Sequence, residues 1–314
     1  MNLHNDKENF NNLIAVTAEH IRIPPSAVKR DYYIVMLLQN LQKSEYVEQC
    51  IFKGGTSLSK CYPNSINRFS EDIDLTFIPN EEMSSKQYDK ALKKIESTMI
   101  GSAFSEKIGA ERNDRNKSSF VWFEEDDKTD AKIKLEIGSR VKPDPYEKRK
   151  LMTYIQEYLE SQNMFAEIKE FELEEVEINT LCIERTFVDK LMSVKRHAIC
   201  GSLVRKVRHI YDVVKLSEME EIRRFLADRV ELKDIINKTK QTDSFYLEKR
   251  DLPDEYDSTE AYAFNEWKKY FSDEIKTRYE SLHHDLLYSS ERQDFEKAIV
   301  AFDEINDLLT QIGE

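Results

Sequence analysis

Two aspartates, Asp72 and Asp74, stand one residue apart inside the run "DIDLTFI". Read as a strand, the run alternates. Ile73, Leu75 and Phe77 share one face, and Asp72, Asp74 and Thr76 share the other. Two carboxylates converging on one face repel unless a cation lies between them. Hard oxygen ligands at that spacing suit Mg2+, which uses one or two carboxylates together with substrate phosphates. A third carboxylate on a neighbouring strand would extend the pair to a two-metal arrangement. Glu136 is the candidate, on the polar face of "KIKLEIG" with Lys132 and Lys134. A lone D-x-D on a strand is otherwise ordinary surface, so its surroundings decide.

Upstream lies "GGTSLSK", in a chain with only seven glycines. Gly54 and Gly55 end an apolar run, and Thr56 or Ser57 can start a helix. Glycines admit a phosphate to the backbone, and the free N–H groups of a helix start attract anions. The hydroxyls of Thr56 and Ser57 could donate to phosphate oxygens; a plain strand-to-helix turn with a hydroxyl cap is the simpler reading. The stretch has neither the G-x-x-x-x-G-K-S/T pattern nor G-x-G-x-x-G, so neither the P-loop nor the dinucleotide fingerprint applies.

The elements around these residues follow from periodicity. Residues 1 to about 48 read as helical, with a Pro-Pro turn and a Ser26 cap before Tyr33 to Leu41. "YVEQCIF" is a buried strand, "DIDLTFI" the next, and "MSSKQYDKALKKIESTMI" a helix starting near Ser84 or Ser85. "SSFVWFEED" and "AKIKLEIGS" form an antiparallel pair joined by the acidic loop "EEDDKTD". "KPDPYEKRK" reads as a connection, and "VEINTLCIER" as a further strand. From there to Glu314 the pattern is helical, with a break at "RDLPDEYDS". The fold class is therefore α+β: a small mixed sheet with flanking helices and a C-terminal helical lobe. Residues 1–180 form the first domain and 181–314 the second.

At 314 residues the chain can bury a substantial core. Its formal charge is −13, which argues against a general polyanion binder but leaves room for a local basic groove among 47 Lys and Arg. The densest basic run is "KRHAICGSLVRKVRH", containing His197 and His209. It could grip a triphosphate or an RNA backbone, or be a solvated helix face. The start "MNLHNDKENF" lacks a secretory pattern, and "YYIVMLL" is too short to span a bilayer. Four cysteines without a C-x-x-C pair fit a reducing, cytoplasmic setting.

A strand, a Gly-Gly turn opening a helix, D-x-D on the next strand and a later carboxylate resemble the polymerase-β-like nucleotidyltransferases. More narrowly, "KGGTSLSK", "RFSEDIDL", "IKLEI", "FVDKL" and "RHIYDV" resemble the AbiEii/AbiGii toxin family, which includes the MenT-type toxins. The resemblance covers about Tyr32 to Leu216. It implies a toxin of an abortive-infection or toxin–antitoxin system that moves NMP from an NTP to an RNA acceptor, the tRNA 3′ end by preference. It implies Mg2+ or Mn2+, a cognate antitoxin and no membrane.

Carried over by motif, Gly55 and Thr56 would hold triphosphate, within a turn whose own residues add Gly54 and Ser57. Ser70 contacts phosphate with Arg68 nearby, and Asp72 and Asp74 bind metal. Lys190 contacts nucleotide phosphates, and Asp212 is a base or positioning residue. Glu136 stands where many nucleotidyltransferases have Asp. Without the resemblance, Lys190 is an edge lysine beside the stripe Phe187, Leu191, Val194 and Ala198, with Thr186 and Asp189 as caps. Asp212 is then a surface partner of Arg208 at i,i+4. Transfer to a protein or small-molecule hydroxyl, or NTP binding without turnover, are the alternatives.

Overall fold

The structure is a computed structural model that describes residues 1–125, 128, 132–247, 252–288 and 290–314. Most of the acidic loop "EEDDKTD" and the start of the break at Arg250 lie outside those residues. The chain forms two compact units, one of Met1–Cys61 and Phe69–Leu181, the other of Tyr62–Arg68 and Cys182–Glu314.

The first unit carries a seven-stranded mixed sheet. Its strands are β1 (Cys50–Lys53), β2 (Asp72–Phe77), β3 (Phe104–Lys107), β4 (Asn116–Trp122), β5 (Ile133–Gly138), β6 (Tyr146–Leu151) and β7 (Val176–Leu181). They run in the order β3-β4-β5-β2-β1-β7-β6. β1–β7 and β2–β5 are parallel pairs, and the other neighbours are antiparallel. The helices of this unit are α1 (Lys7–Ile21), α2 (Pro25–Gln42), α3 (Gly54–Cys61), α4 (Ser85–Ile100), α5 (Tyr154–Ser161) and α6 (Phe165–Glu170).

β2 shows why the alternation is informative. Ile73, Leu75 and Phe77 are buried, as are Ile133, Leu135 and Ile137 on the adjacent β5. Each such side chain contributes about 1.5–3 kcal/mol on leaving water. Register is then strongly specified, because a one-residue slip would put every one of them on the other face. α4 packs against β4 and β5. It starts as the serines suggested, with a reciprocal capping box between Ser84 and Gln87.

Several sequence expectations change. α2 begins at Pro25 rather than at a Ser26 cap, since proline's missing N–H costs nothing in a first turn. "KPDPYEKRK" is not merely a connection: its second half is β6, paired along its length with β7. β3 was not anticipated. Both are edge strands whose side chains are largely exposed, so neither carries the buried row that makes a strand legible. The thiols of Cys50 and Cys61 are pushed up by burial to about 12 and about 11, which leaves them inert at neutral pH.

The second unit is built from α7 (Ile183–Ile199), α8 (Val207–Ser217), α9 (Glu220–Ala227), α10 (Arg229–Leu247), α11 (Phe264–Trp267), α12 (Asp273–Glu280), α13 (Leu282–Asp285) and α14 (Phe295–Thr310). α7 is its spine and packs against α8 and α10. Because α7 starts at Ile183, Thr186 and Asp189 lie inside the helix and do not cap it. The Thr186 hydroxyl donates to the Cys182 carbonyl at 3.1 Å, and Asp189 pairs with Arg185 at 2.8 Å.

Candidate active site

In the first unit, β1 ends at Lys53 and α3 begins at once with Gly54, whose φ is +87°. Lys53 is the register partner of Asp74 across the antiparallel β1–β2 pair. The turn and the second aspartate are therefore brought together by the ladder. A Cβ built on Gly54 would fall on the Asp74 carboxylate, with Asp74 Cγ at 3.2 Å. Only glycine permits both this backbone conformation and this approach.

The hydroxyls after the turn are engaged by the protein. The Thr56 hydroxyl donates to the Asp72 carbonyl and lies 2.9 Å from Ser70 Oγ. The Ser57 hydroxyl donates to the Gly54 carbonyl at 2.9 Å. Thr56 and Ser57 are both buried, while Ser70 keeps partial exposure. Turn, Ser70 and β2 are thus tied into one rigid corner.

Across the parallel β2–β5 pair, Asp74 is the register partner of Glu136 and Asp72 that of Lys134. All four side chains share one face and are half-buried. The Lys134 ammonium lies 2.7 Å from Glu111 Oε2 and 3.3 Å from Glu136 Oε2. Among the described residues, no three His, Cys, Asp or Glu side chains gather closely enough to hold an ion. The donor set at the Gly54 corner is a carboxylate pair, Asp72 and Asp74. That set fits a hard divalent cation that completes its shell with water and phosphate oxygens.

In the second unit, Asp212 on α8 receives both Arg68 and Lys190. Arg68 Nε and Nη2 donate to Asp212 Oδ1 and Oδ2 at 2.6 and 2.8 Å. Lys190 Nζ lies 2.7 Å from Oδ2. Asp212 is 0% exposed, Arg68 1% and Lys190 7%. Burial alone would raise the Asp212 pKa. The charges and hydrogen bonds of Arg68 and Lys190 outweigh it and hold the carboxyl well below its usual range. Burial likewise pushes Lys190 down, against the pull of Asp212. Lys190 is thus a buried member of an ion cluster, not a snorkelling edge residue, and Asp212 pairs with Arg68 and Lys190 in place of the expected surface bridge to Arg208.

His209 stands about one helical turn before Asp212 on α8, with Nδ1 3.0 Å from Ser193 Oγ. Burial first, and then the Lys190 charge, lower its pKa well below 6.5. His197 Nδ1 lies 2.7 Å from Ser202 Oγ. Part of the basic run is spent internally. Lys195 donates to the Ala261 carbonyl at 2.5 Å, and Arg196 pairs with Asp243 at 3.3 Å.

Sequence reasoning missed two partnerships. Arg68 and Asp212 are 144 positions apart, and no local signal links them. The Lys134–Glu136 pair did have a signal, since i and i+2 on a strand share a face.

The mixed sheet sets a Gly-Gly turn against a D-x-D strand, the arrangement expected from the resemblance to nucleotidyltransferases. Residues 36–300 match the nucleotidyl transferase AbiEii toxin family of type IV toxin–antitoxin systems, and the chain belongs to that family. The match runs well past Leu216, into helices where the sequence shows only a helical pattern. The protein is therefore a nucleotidyltransferase toxin, and its family implies an NTP substrate and an antitoxin. Among solved structures it is similar in fold to MenT4, a nucleotidyltransferase toxin from Mycobacterium tuberculosis. The identity is 18%, over 95% of this chain and 98% of that one, with a TM-score of 0.50. JHP933 from Helicobacter pylori aligns at 17% identity over 91% and 94% of the two chains, with a TM-score of 0.41. A comparison with curated protein sequences finds no match. Among the described residues no helix is long and apolar enough to cross a membrane.

Proposed function

We propose that this toxin transfers NMP from an NTP to an RNA hydroxyl, the 3′ end of tRNA by preference, and releases pyrophosphate. The observation that carries the reading is the contact of Gly54 with the Asp74 carboxylate, which joins a phosphate-type turn to a metal-type carboxylate pair. The backbone of Gly54 and Gly55 receives the triphosphate, with the Ser70 hydroxyl as a further donor. Thr56 and Ser57 hold the shape of that turn. Asp72 and Asp74 would hold Mg2+ or Mn2+. When bound, the ion supplies charge neutralisation at the phosphates and at the attacking oxygen.

In the second unit, Lys190 is the phosphate-contacting cation. Asp212 and Arg68 act through it: Asp212 fixes the ammonium by a 2.7 Å ion pair at Oδ2, and Arg68 holds the carboxylate in place through both of its oxygens. A carboxylate so buried and so strongly held as an anion suits positioning better than proton abstraction. The acceptor oxygen forms its bond to the α-phosphorus as the bond to pyrophosphate breaks, and the hydroxyl proton passes to solvent. Catalysis is then positioning and charge stabilisation. Such an activity in the cytoplasm would block translation, and the antitoxin would be a DNA-binding regulator encoded beside it.

The test is incubation with each α-labelled NTP and Mg2+, followed by separation of RNA, protein and small-molecule fractions. Label in tRNA, absent with Asp74→Asn, supports the reading. Label confined to protein or to a small molecule moves the acceptor to one of those classes. Mass analysis of total tRNA after brief induction in cells gives the same answer in vivo.

A further inference from the structure

The face that carries Asp72 and Asp74 also carries a lysine in register with them. β2 and β5 are parallel neighbours, so Lys134 stands one strand over from Asp72, and Glu136 one strand over from Asp74. Adjacent strands are about 4.8 Å apart. Lys134 is anchored from two sides, by Glu111 at 2.7 Å and by Glu136 at 3.3 Å, with its side chain 26% exposed. Glu111 ends a short 3-10 turn (Gly109–Glu111) before β4, so the clamp ties that turn to the sheet. A second divalent ion drawing on Glu136 would have to sit against this ammonium and take its partner.

We infer that Lys134 is the fixed second cation of this site: its ammonium holds Glu136 where a second metal ion would otherwise bind, so the chain takes one divalent ion, on Asp72 and Asp74. This rests on the metal role proposed above for those two aspartates. Lys134 acts as a positioning residue through Glu136. It keeps the third carboxylate neutralised and leaves the D-x-D pair as the one strong divalent site. A polymerase-type two-ion arrangement is then replaced by one exchangeable ion and one built-in charge. The consequence is a stoichiometry, readable without turnover.

The experiment is Mn2+ titration of the full chain, followed by the loss of the free-ion electron paramagnetic resonance signal. Wild type is expected to bind one Mn2+, and Asp72→Asn none. Lys134→Met releases Glu136 and is expected to bind a second Mn2+, which the double change Lys134→Met with Glu136→Gln removes. Glu136→Gln alone keeps the count at one. Two Mn2+ on the wild type that fall to one with Glu136→Gln overturn the inference and leave the metal reading standing. So does a folded Lys134→Met protein that still binds one. Should Lys134→Met fail to fold, the wild-type and Glu136→Gln counts decide by themselves. Binding that Asp72→Asn does not alter overturns the metal reading itself, and the inference with it.

Discussion

Arg68 grips Asp212 through two charge-assisted hydrogen bonds, 2.6 and 2.8 Å long, with the carboxylate wholly buried. Lys190 joins at 2.7 Å, so one anion serves two buried cations. Removing that anion leaves two uncompensated charges. Asp212→Asn is expected to lose about 3–5 kcal/mol of stability, measured by urea unfolding at neutral pH. The folded pKa lies below the usual 3.8, so this stabilisation is present above that value and is lost as pH falls through the folded one. The gap between wild type and variant should therefore close in acid.

His209 gives the opposite end of the pH range. Its folded pKa lies well below 6.5, through burial first and the Lys190 charge second. Below 6.5 the unfolded chain takes up a proton that the folded chain refuses, so stability falls as pH falls. One such group contributes a slope of at most about 1.4 kcal/mol per pH unit. Urea unfolding at several pH values on the acid side of neutrality should show a shallower slope for His209→Gln than for wild type. Equal slopes would mean that His209 titrates normally.

Gly54 occupies a backbone conformation that side chains avoid, and its missing Cβ leaves room for Asp74. Gly54→Ala is expected to cost about 1–3 kcal/mol from strain alone. It should also displace the Asp74 carboxylate, which Mn2+ affinity will report. Gly201 also has a positive φ but meets nothing within 4 Å, so Gly201→Ala serves as the control with strain and no metal effect.

Asp72→Asn and Asp74→Asn change charge and little volume at half-buried positions. Each is expected to lower nucleotide transfer by roughly a hundred- to a thousandfold or more, with thermal unfolding close to wild type. Full transfer by a folded Asp74→Asn protein would sink the proposed mechanism.

Legibility in the sequence followed burial. β2 and β5 could be read because one face of each is apolar and buried, and the polar residues left over were the interesting ones. β3 and β6 could not, because an edge strand with exposed side chains has no such row. Lys190 looked like an edge lysine because its stripe neighbours are apolar. Its burial depends on a partner from another helix.

Local sequence thus determined the parts: an α+β chain, a Gly-Gly turn opening a helix, and two carboxylates on one strand face. Their residue types and spacing set these through backbone conformation and two-residue alternation, both of which act over a few positions. Tertiary structure decided the partnerships. Ladder register put Asp74 against Gly54 and Glu136, and set Lys134 beside Asp72. Helix packing delivered Asp212 to Arg68 and Lys190. Such pairings depend on which segments share a sheet or a helix interface, and that choice is made by burying the whole core at once.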